Sequence, residues 1–140
     1  MDELFELAEW FEDCAKKVKN EIELGVKEGA KKVQLQAQQK APFDTGNLRN
    51  NIDSEAKWEG NSCIGKITSN AEYSAIVEYG SGIYASNGNG RQTPWRYQDT
   101  HGNWYTTRGQ APQPFMYPSW FAKKDEIFRD IVETIGRLFD

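Results

Sequence analysis

The stretch Lys40-Ala41-Pro42-Phe43-Asp44-Thr45-Gly46-Asn47-Leu48-Arg49-Asn50-Asn51-Ile52 joins a long run of helical periodicity to the first run that alternates like a strand. Pro42 disfavours helical backbone at Ala41, and Gly46 accepts backbone angles that a side chain resists, so the chain can stop and swing sharply here. Asp44 or Thr45 can then cap a short helical turn carrying Leu48, because their side-chain oxygens accept from unpaired amides two or three residues on. Alone, these residues predict a corner and no chemistry.

Upstream of the corner the apolar positions Leu4, Ala8, Phe11, Ala15, Val18, Ile22, Val26, Gly29, Val33 and Ala37 are spaced by three and four. This is one stripe on a helix, or on two nearly continuous helices. Gly25 and Gly29 interrupt it, each at a cost of about 1 kcal/mol relative to Ala, and so predict a kink or a close crossing by another element. Acids at the start (Asp2, Glu3, Glu6) and Lys31, Lys32 and Lys40 towards the end suit the helix dipole. The stripe is longer than a small sheet covers, which leaves room for contact with another subunit.

Downstream, Ile52, Ser54, Ala56 and Trp58 alternate with Asp53, Glu55, Lys57 and Glu59, and Gly60-Asn61 is a two-residue hairpin signal. Pairing Glu59 with Ser62 sets Trp58 opposite Cys63, Ala56 opposite Gly65 and Ser54 opposite Ile67, keeping the less polar residues on one face. Asn70 is placed to cap a helix over Ala71–Tyr79, with Tyr73, Ile76 and Val77 on one face and Gly80 as its stop. Glu78 reads as a surface residue of that helix. Ser81 to Arg91, mostly Gly, Ser and Asn, reads as a mobile loop.

A second hairpin follows, with Gly102 as the left-handed residue of the turn Thr100-His101-Gly102, Tyr97 facing Tyr105 and Trp95 facing Thr107. Pro94 marks an edge strand, and the hairpin is expected either to extend the main sheet or to project from it. Phe115 and Met116 look like core plugs in a proline-held connector, and Pro118 fits the first turn of the last helix. That helix carries a broad apolar face through Ile127, Ile131 and Ile135 and is expected to be the sheet's main cover. The fold class is therefore α+β: a long N-terminal helix and a C-terminal helix on a small antiparallel sheet, with an extra aromatic hairpin. The 140 residues fit one domain, divided into an N-terminal helical region (1–41), a hairpin (50–69), a short helix (70–80), a loop with the second hairpin (81–112) and a C-terminal helix (117–139).

Seventeen basic against twenty-one acidic side chains give a net charge of -4, the wrong sign for gripping phosphate backbones over most of a surface. No basic leader, signal peptide or membrane-spanning stretch is read, so the chain is expected to fold in a cytoplasm. Cys14 and Cys63 fall on different predicted elements and do not indicate a disulfide framework. Five Trp, six Tyr and seven Phe make 13% of the chain, several in segments that read as exposed, which is the composition of a surface that meets other proteins.

No chemistry-bearing constellation accompanies these features. Gly80-x-Gly82 and Gly88-x-Gly90 lack the context of a phosphate loop, and one histidine with two distant cysteines does not make a zinc site. His101 reads as a solvated turn residue, Asp53 and Glu55 as solvated strand charges, and Asp44 as a cap. The expectation is no catalytic residue, no cofactor and no metal.

Three stretches taken together are similar to a known family: Lys40-Ala41-Pro42-Phe43-Asp44-Thr45-Gly46-Asn47-Leu48-Arg49, Ala71-Glu72-Tyr73-Ser74-Ala75-Ile76-Val77-Glu78-Tyr79-Gly80, and Gln113-Pro114-Phe115-Met116-Tyr117-Pro118-Ser119. In that order they resemble the gene-product-ten-like family of long-tailed bacteriophages, minor tail components also described as tail-completion or head-tail joining neck proteins. The resemblance implies a non-enzymatic structural protein of the virion, made in the bacterial host cytoplasm and assembled as a ring, hexameric being one stoichiometry in view. Other neck or tail-tube proteins would be its neighbours; DNA would pass through the ring without specific binding, and no membrane is involved. The matching positions Pro42, Thr45, Gly46, Leu48, Tyr73, Glu78, Gly80, Pro114 and Phe115 would hold structural roles. The insert from Ser81 to Arg108 departs from the family pattern, and its Trp95, Tyr97, Trp104 and Tyr105 are the candidate assembly interface. The competing reading is a peptide- or nucleic-acid-binding adaptor that uses the same aromatic hairpin, flanked by Arg91, Arg96 and Arg108, as a stacking platform; a hydrolase built on His101 ranks below both.

Overall fold

The computed structural model describes residues 2–42, 47–99 and 101–140. In chain order these form α1 (Asp2–Lys40), α2 (Asn47–Asn50), β1 (Ile52–Glu59), β2 (Ser62–Ser69), α3 (Ser74–Tyr79), a 3-10 turn (Gly82–Tyr84), β3 (Trp95–Gln98), β4 (Trp104–Thr107) and α4 (Met116–Arg137). The class is α+β, with a long N-terminal helix, a C-terminal helix and small antiparallel sheets. The chain divides into two compact units: Met1–Gln34, Ser54–Ile67 and Trp120–Asp140 form one, and Leu35–Asp53 and Thr68–Ser119 the other.

In the first unit the periodicity of α1 persists through both glycines as one uninterrupted helix. They mark a close crossing: a Cβ on Gly25 would lie 2.5 Å from Ile131 Cγ1, and one on Gly29 would lie 2.6 Å from Ile127 Cγ2. The absent side chains let the α4 isoleucines approach the α1 backbone. On its flank Lys32 donates to Asp130 at 2.7 Å and to Glu126 at 3.3 Å. These carboxylates hold the Lys32 ammonium above its ordinary pKa, because their hydrogen bonds favour its charged form.

Both long helices meet the first sheet: Val26 and Ala30 of α1 and Trp120, Ile127 and Phe128 of α4 line one cavity with Cys63, Gly65 and Ile67 of β2. The atoms nearest to where a Cβ would stand on Gly65 of β2 belong to Val26 and Ala30 of α1. Helix α1 lies on that strand and α4 lies on α1; a strand glycine and a small helix residue permit the short approach. Along β1 the odd residues are exposed and Ser54, Ala56 and Trp58 are half-buried, as the alternation predicts. Gly60 has φ +61° and Asn61 does not have positive φ, the type II′ pattern for a two-residue hairpin.

In the second unit α1 ends at Lys40, the Ala41 amide still bonding to the Ala37 carbonyl at 2.8 Å. Phe43, Asp44, Thr45 and Gly46 lie outside the described residues, and with them the proposed cap of the next turn. That turn is α2, with Leu48 buried. Asn70 does not cap the short helix. Its amide side chain donates to Asp53 at 2.7 Å, and α3 starts at Ser74, with Tyr73 at its N-cap and no side-chain cap bond. The partner offered by β1 wins over the local one.

The second hairpin forms its own two-stranded sheet rather than extending the first. Its register pairs Tyr97 with Tyr105 and Trp95 with Thr107, and Gly102 has φ +86°, all as read from the sequence. Within the segment from Ser81 to Arg91, expected as a mobile loop, Gly82–Tyr84 forms the 3-10 turn, and the first half of the segment is tied to its surroundings. Ser81 donates to Gln110 O at 2.9 Å, Ile83 to Arg108 O at 3.0 Å and Ser86 to Tyr79 O at 2.8 Å.

Candidate functional site

Two of the motif stretches close on each other in the second unit. Glu78, expected on the surface, is buried. Its carboxylate accepts the backbone N–H groups of Phe115 at 2.7 Å, Met116 at 2.9 Å and Tyr117 at 3.0 Å. These amides open α4 and have no intrahelical acceptor, so a negative side chain from α3 caps a helix start far along the chain. Periodicity could not reveal this, because the signal for a cap lies in the residues just before a helix, and here that place is taken by prolines.

Gly80 completes the junction. It has φ +79°, and a Cβ there would meet Tyr84 O, Gln110 O and Pro112 Cδ at 2.8–2.9 Å. Only a glycine accepts both the angle and the crowding. Gln113 then donates to Val77 O at 2.7 Å, and Phe115 is fully buried. Ser119 Oγ donates to Phe115 O and is itself buried. Leu48 is buried and Pro42 half-buried, the Tyr73 hydroxyl accepts from Asn47 at 3.5 Å, and Pro114 is exposed. Thr45 and Gly46 fall outside the described residues. Thus Glu78 meets Phe115, and Gly80 lies against the same connector at Gln110 and Pro112.

The aromatic hairpin presents Tyr97, Trp104 and Tyr105 as exposed side chains and Trp95 as half-buried. Tyr97 stacks on Tyr105 with centroids 5.5 Å apart, Arg96 lies 5.1 Å over Trp104 and Arg91 5.6 Å over Trp95. At the tip Asp99 accepts from the His101 and Asn103 amides at 2.9 and 2.8 Å. The Asn103 amide above all holds the Asp99 carboxyl below its usual range. His101 is exposed.

The first unit carries a further surface that sequence reading noted only as a stripe. Trp10, Phe11, Cys14, Val18, Trp58 and Phe139 line an apolar groove of about 520 Å³. Trp10 is 56% and Phe139 57% exposed. Lys19 lies 4.8 Å over the Trp58 ring at its border. On α4, Phe128 is 71% exposed. Across the same unit burial raises the Cys63 thiol pKa, with Glu23 adding to it. Cys14 and Cys63 are both free thiols. Among the described residues no cluster of three or more His, Cys, Asp and Glu could hold a metal, and no helix is long and apolar enough to cross a membrane.

The profile of the family described as "Bacteriophage HK97-gp10, putative tail-component" matches residues 5–80. The chain belongs to this family of phage tail components, whose place is the virion among other tail proteins. The match spans the long helix, the corner, the first hairpin and the segment ending at Gly80, and stops before the Pro-Phe-Met-x-Pro connector. No curated protein and no solved structure matches the chain.

Proposed function

We propose that this protein is a structural subunit of the phage neck, which joins or completes the tail at the head-tail interface by ring-type self-assembly and performs no catalysis. The observation that carries this reading is the set of large apolar side chains its own fold leaves uncovered: Trp10, Phe11, Phe128 and Phe139 on the helical unit, and Trp104 and Tyr105 on the second hairpin. Exposed aromatics gathered into patches mark surfaces that another protein covers. Membership of a tail-component family supplies the setting. The net charge of -4 is compatible with a ring through which DNA passes without being held.

The adaptor reading has less support. A stacking platform needs open ring faces, and here Tyr97 and Tyr105 cover each other while Arg91 and Arg96 occupy faces of Trp95 and Trp104.

Imaging of particles made without the protein tests the proposal. Separated heads and tails, or tails of irregular length, are expected; intact particles of normal length, with the protein absent from wild-type virions, would reject it. Light scattering on the purified chain over a concentration series measures self-association directly.

A further inference from the structure

We infer that the open edge of β2, with the apolar trough between that edge and α4, takes one extended segment of another protein as an added strand. The inference rests on the reading that uncovered apolar side chains meet a neighbour in the particle, and gives the form of that neighbour at this site. Equal strands of eight residues around the Gly60-Asn61 turn pair Glu59 with Ser62. The Asn70 amide, bonded to Asn51 O at 2.8 Å, continues this ladder by one step. In an antiparallel ladder alternate residues turn both backbone groups towards the partner strand, and the rest turn them away. Ser62, Ile64, Lys66 and Thr68 therefore bond to β1. Cys63, Gly65 and Ile67 point their N–H and C=O groups outward, where no further strand lies among the described residues. Prolines, bulges or inward-pointing charges ordinarily blunt such an edge. β2 has no proline, eight residues facing eight leave no bulge, and its one charge, Lys66, falls on the face away from α1.

The trough beside this edge is about 320 Å³ and lies within one unit. Gly29, Ala30 and Val33 of α1 form its floor, and Trp120 and Phe128 of α4 its far wall; the outward-facing β2 residues are the near one. A strand laid along β2 would bond to those backbone groups while every second side chain drops onto the floor. Main-chain bonds then supply affinity and the apolar floor selects alternate side chains. Phe128, 71% exposed, would be covered. A second copy does not fit by its own sheet edges. Helix α1 lies on the Trp58 and Ser54 face of β1, with Lys19 over Trp58 and Gln34 bonded to Ser54, and on the same face of β2. A copy brought edge to edge with that face down sets its α1 where α4 stands. Turned over, it lays Lys66, or Asp53, Glu55, Lys57 and Glu59, on an apolar floor. The strands of the second hairpin, four residues each, span half of the edge. The occupant is therefore a bare extended arm with apolar residues at alternate positions.

A synthetic peptide of about eight residues, alternating valine with threonine, is the probe, titrated to about 1 mM against the isotope-labelled full chain. The amide resonances of Cys63, Gly65 and Ile67 are expected to shift and to gain protection from hydrogen exchange, while those of Ile64 and Lys66, already bonded to β1, stay protected throughout. N-methylation of one alternate set of peptide amides should weaken binding about ten-fold or more, and of the other set should not. Sensitivity at the valines reports an antiparallel added strand, and at the threonines a parallel one. Phe128→Ala, at an exposed position whose native fold circular dichroism checks, should weaken binding about ten-fold by removing the far wall. Edge amides that stay unmoved, binding indifferent to both sets of N-methylation, or Phe128→Ala binding at native strength would overturn the inference. So would protection of the same three amides on self-association of the chain alone, which makes a second copy the occupant. None of these outcomes alters the particle imaging, so the neck reading stands or falls separately.

Discussion

Glu78 Oε2 accepts the Phe115 amide at 2.7 Å, joining α3 to the start of α4 across 37 residues of chain. With the Met116 and Tyr117 amides, three donors converge on one buried carboxylate. Glu78→Ala is expected to leave those amides unpartnered and to cost about 3 kcal/mol, while Glu78→Gln, which keeps an acceptor but not the charge, should cost about half of that. Urea unfolding followed by circular dichroism checks both values; a loss below about 0.5 kcal/mol for the alanine variant would remove the cap from the account.

The crossing of α1 and α4 gives a second prediction. At Gly29 an added methyl would stand 2.6 Å from Ile127 Cγ2. Overpacking there costs about 1–3 kcal/mol, against a gain of about 1 kcal/mol in helix propensity. Gly29→Ala should therefore destabilise by up to about 2 kcal/mol, and Gly29→Ala with Ile127→Ala should recover part of the loss. Thermal unfolding of the two variants distinguishes steric conflict from a pure propensity effect, which would raise stability in the single variant.

Asp99 predicts an acid response of the second hairpin. Its folded pKa is depressed below the ordinary carboxylate value, so its contribution is full above about pH 3.9 and disappears as pH falls through the lower folded value. The Asn103 and His101 amide resonances should hold their positions down to that range and then shift together. Asp99→Ala should show the displaced positions at neutral pH, with the register of Tyr97 and Tyr105 weakened.

Lys32 predicts the opposite limb. Its folded pKa is raised by Asp130 and Glu126, so the stability it adds is present below the unfolded lysine value of about 10.4 and disappears as pH rises through the higher folded value. Lys32→Met should lose this alkaline dependence while unfolding like the native chain above it. The pair is solvent-exposed, so salt should shrink the difference at neutral pH.

What the sequence disclosed follows the range of the interactions involved. The Gly60-Asn61 turn and the Tyr97–Tyr105 register were legible because a hairpin's partners lie a few residues apart and its glycines announce the backbone angle. The α1 stripe was legible for the same reason, repeated over 39 residues. Glu78 was not: its donors arrive from a proline-rich connector, and a carboxylate beside Val77 looks like any solvated helix charge. Asn70 misled because a side chain that can cap through its oxygen can also donate through its amide, and here the amide reaches Asp53 while the oxygen makes no cap bond. The layering of α4 on α1 was hidden in two glycines whose reading allowed a kink or a crossing.

The Glu78 cap also sets an order of events on the ribosome. The β1–β2 hairpin holds its partners within a short stretch that emerges early, whereas Glu78 leaves the exit tunnel 37 residues ahead of the first amide that satisfies it. Until the Phe115 connector follows, a carboxylate destined for the interior stays hydrated, and the second unit waits for its last strip of polypeptide.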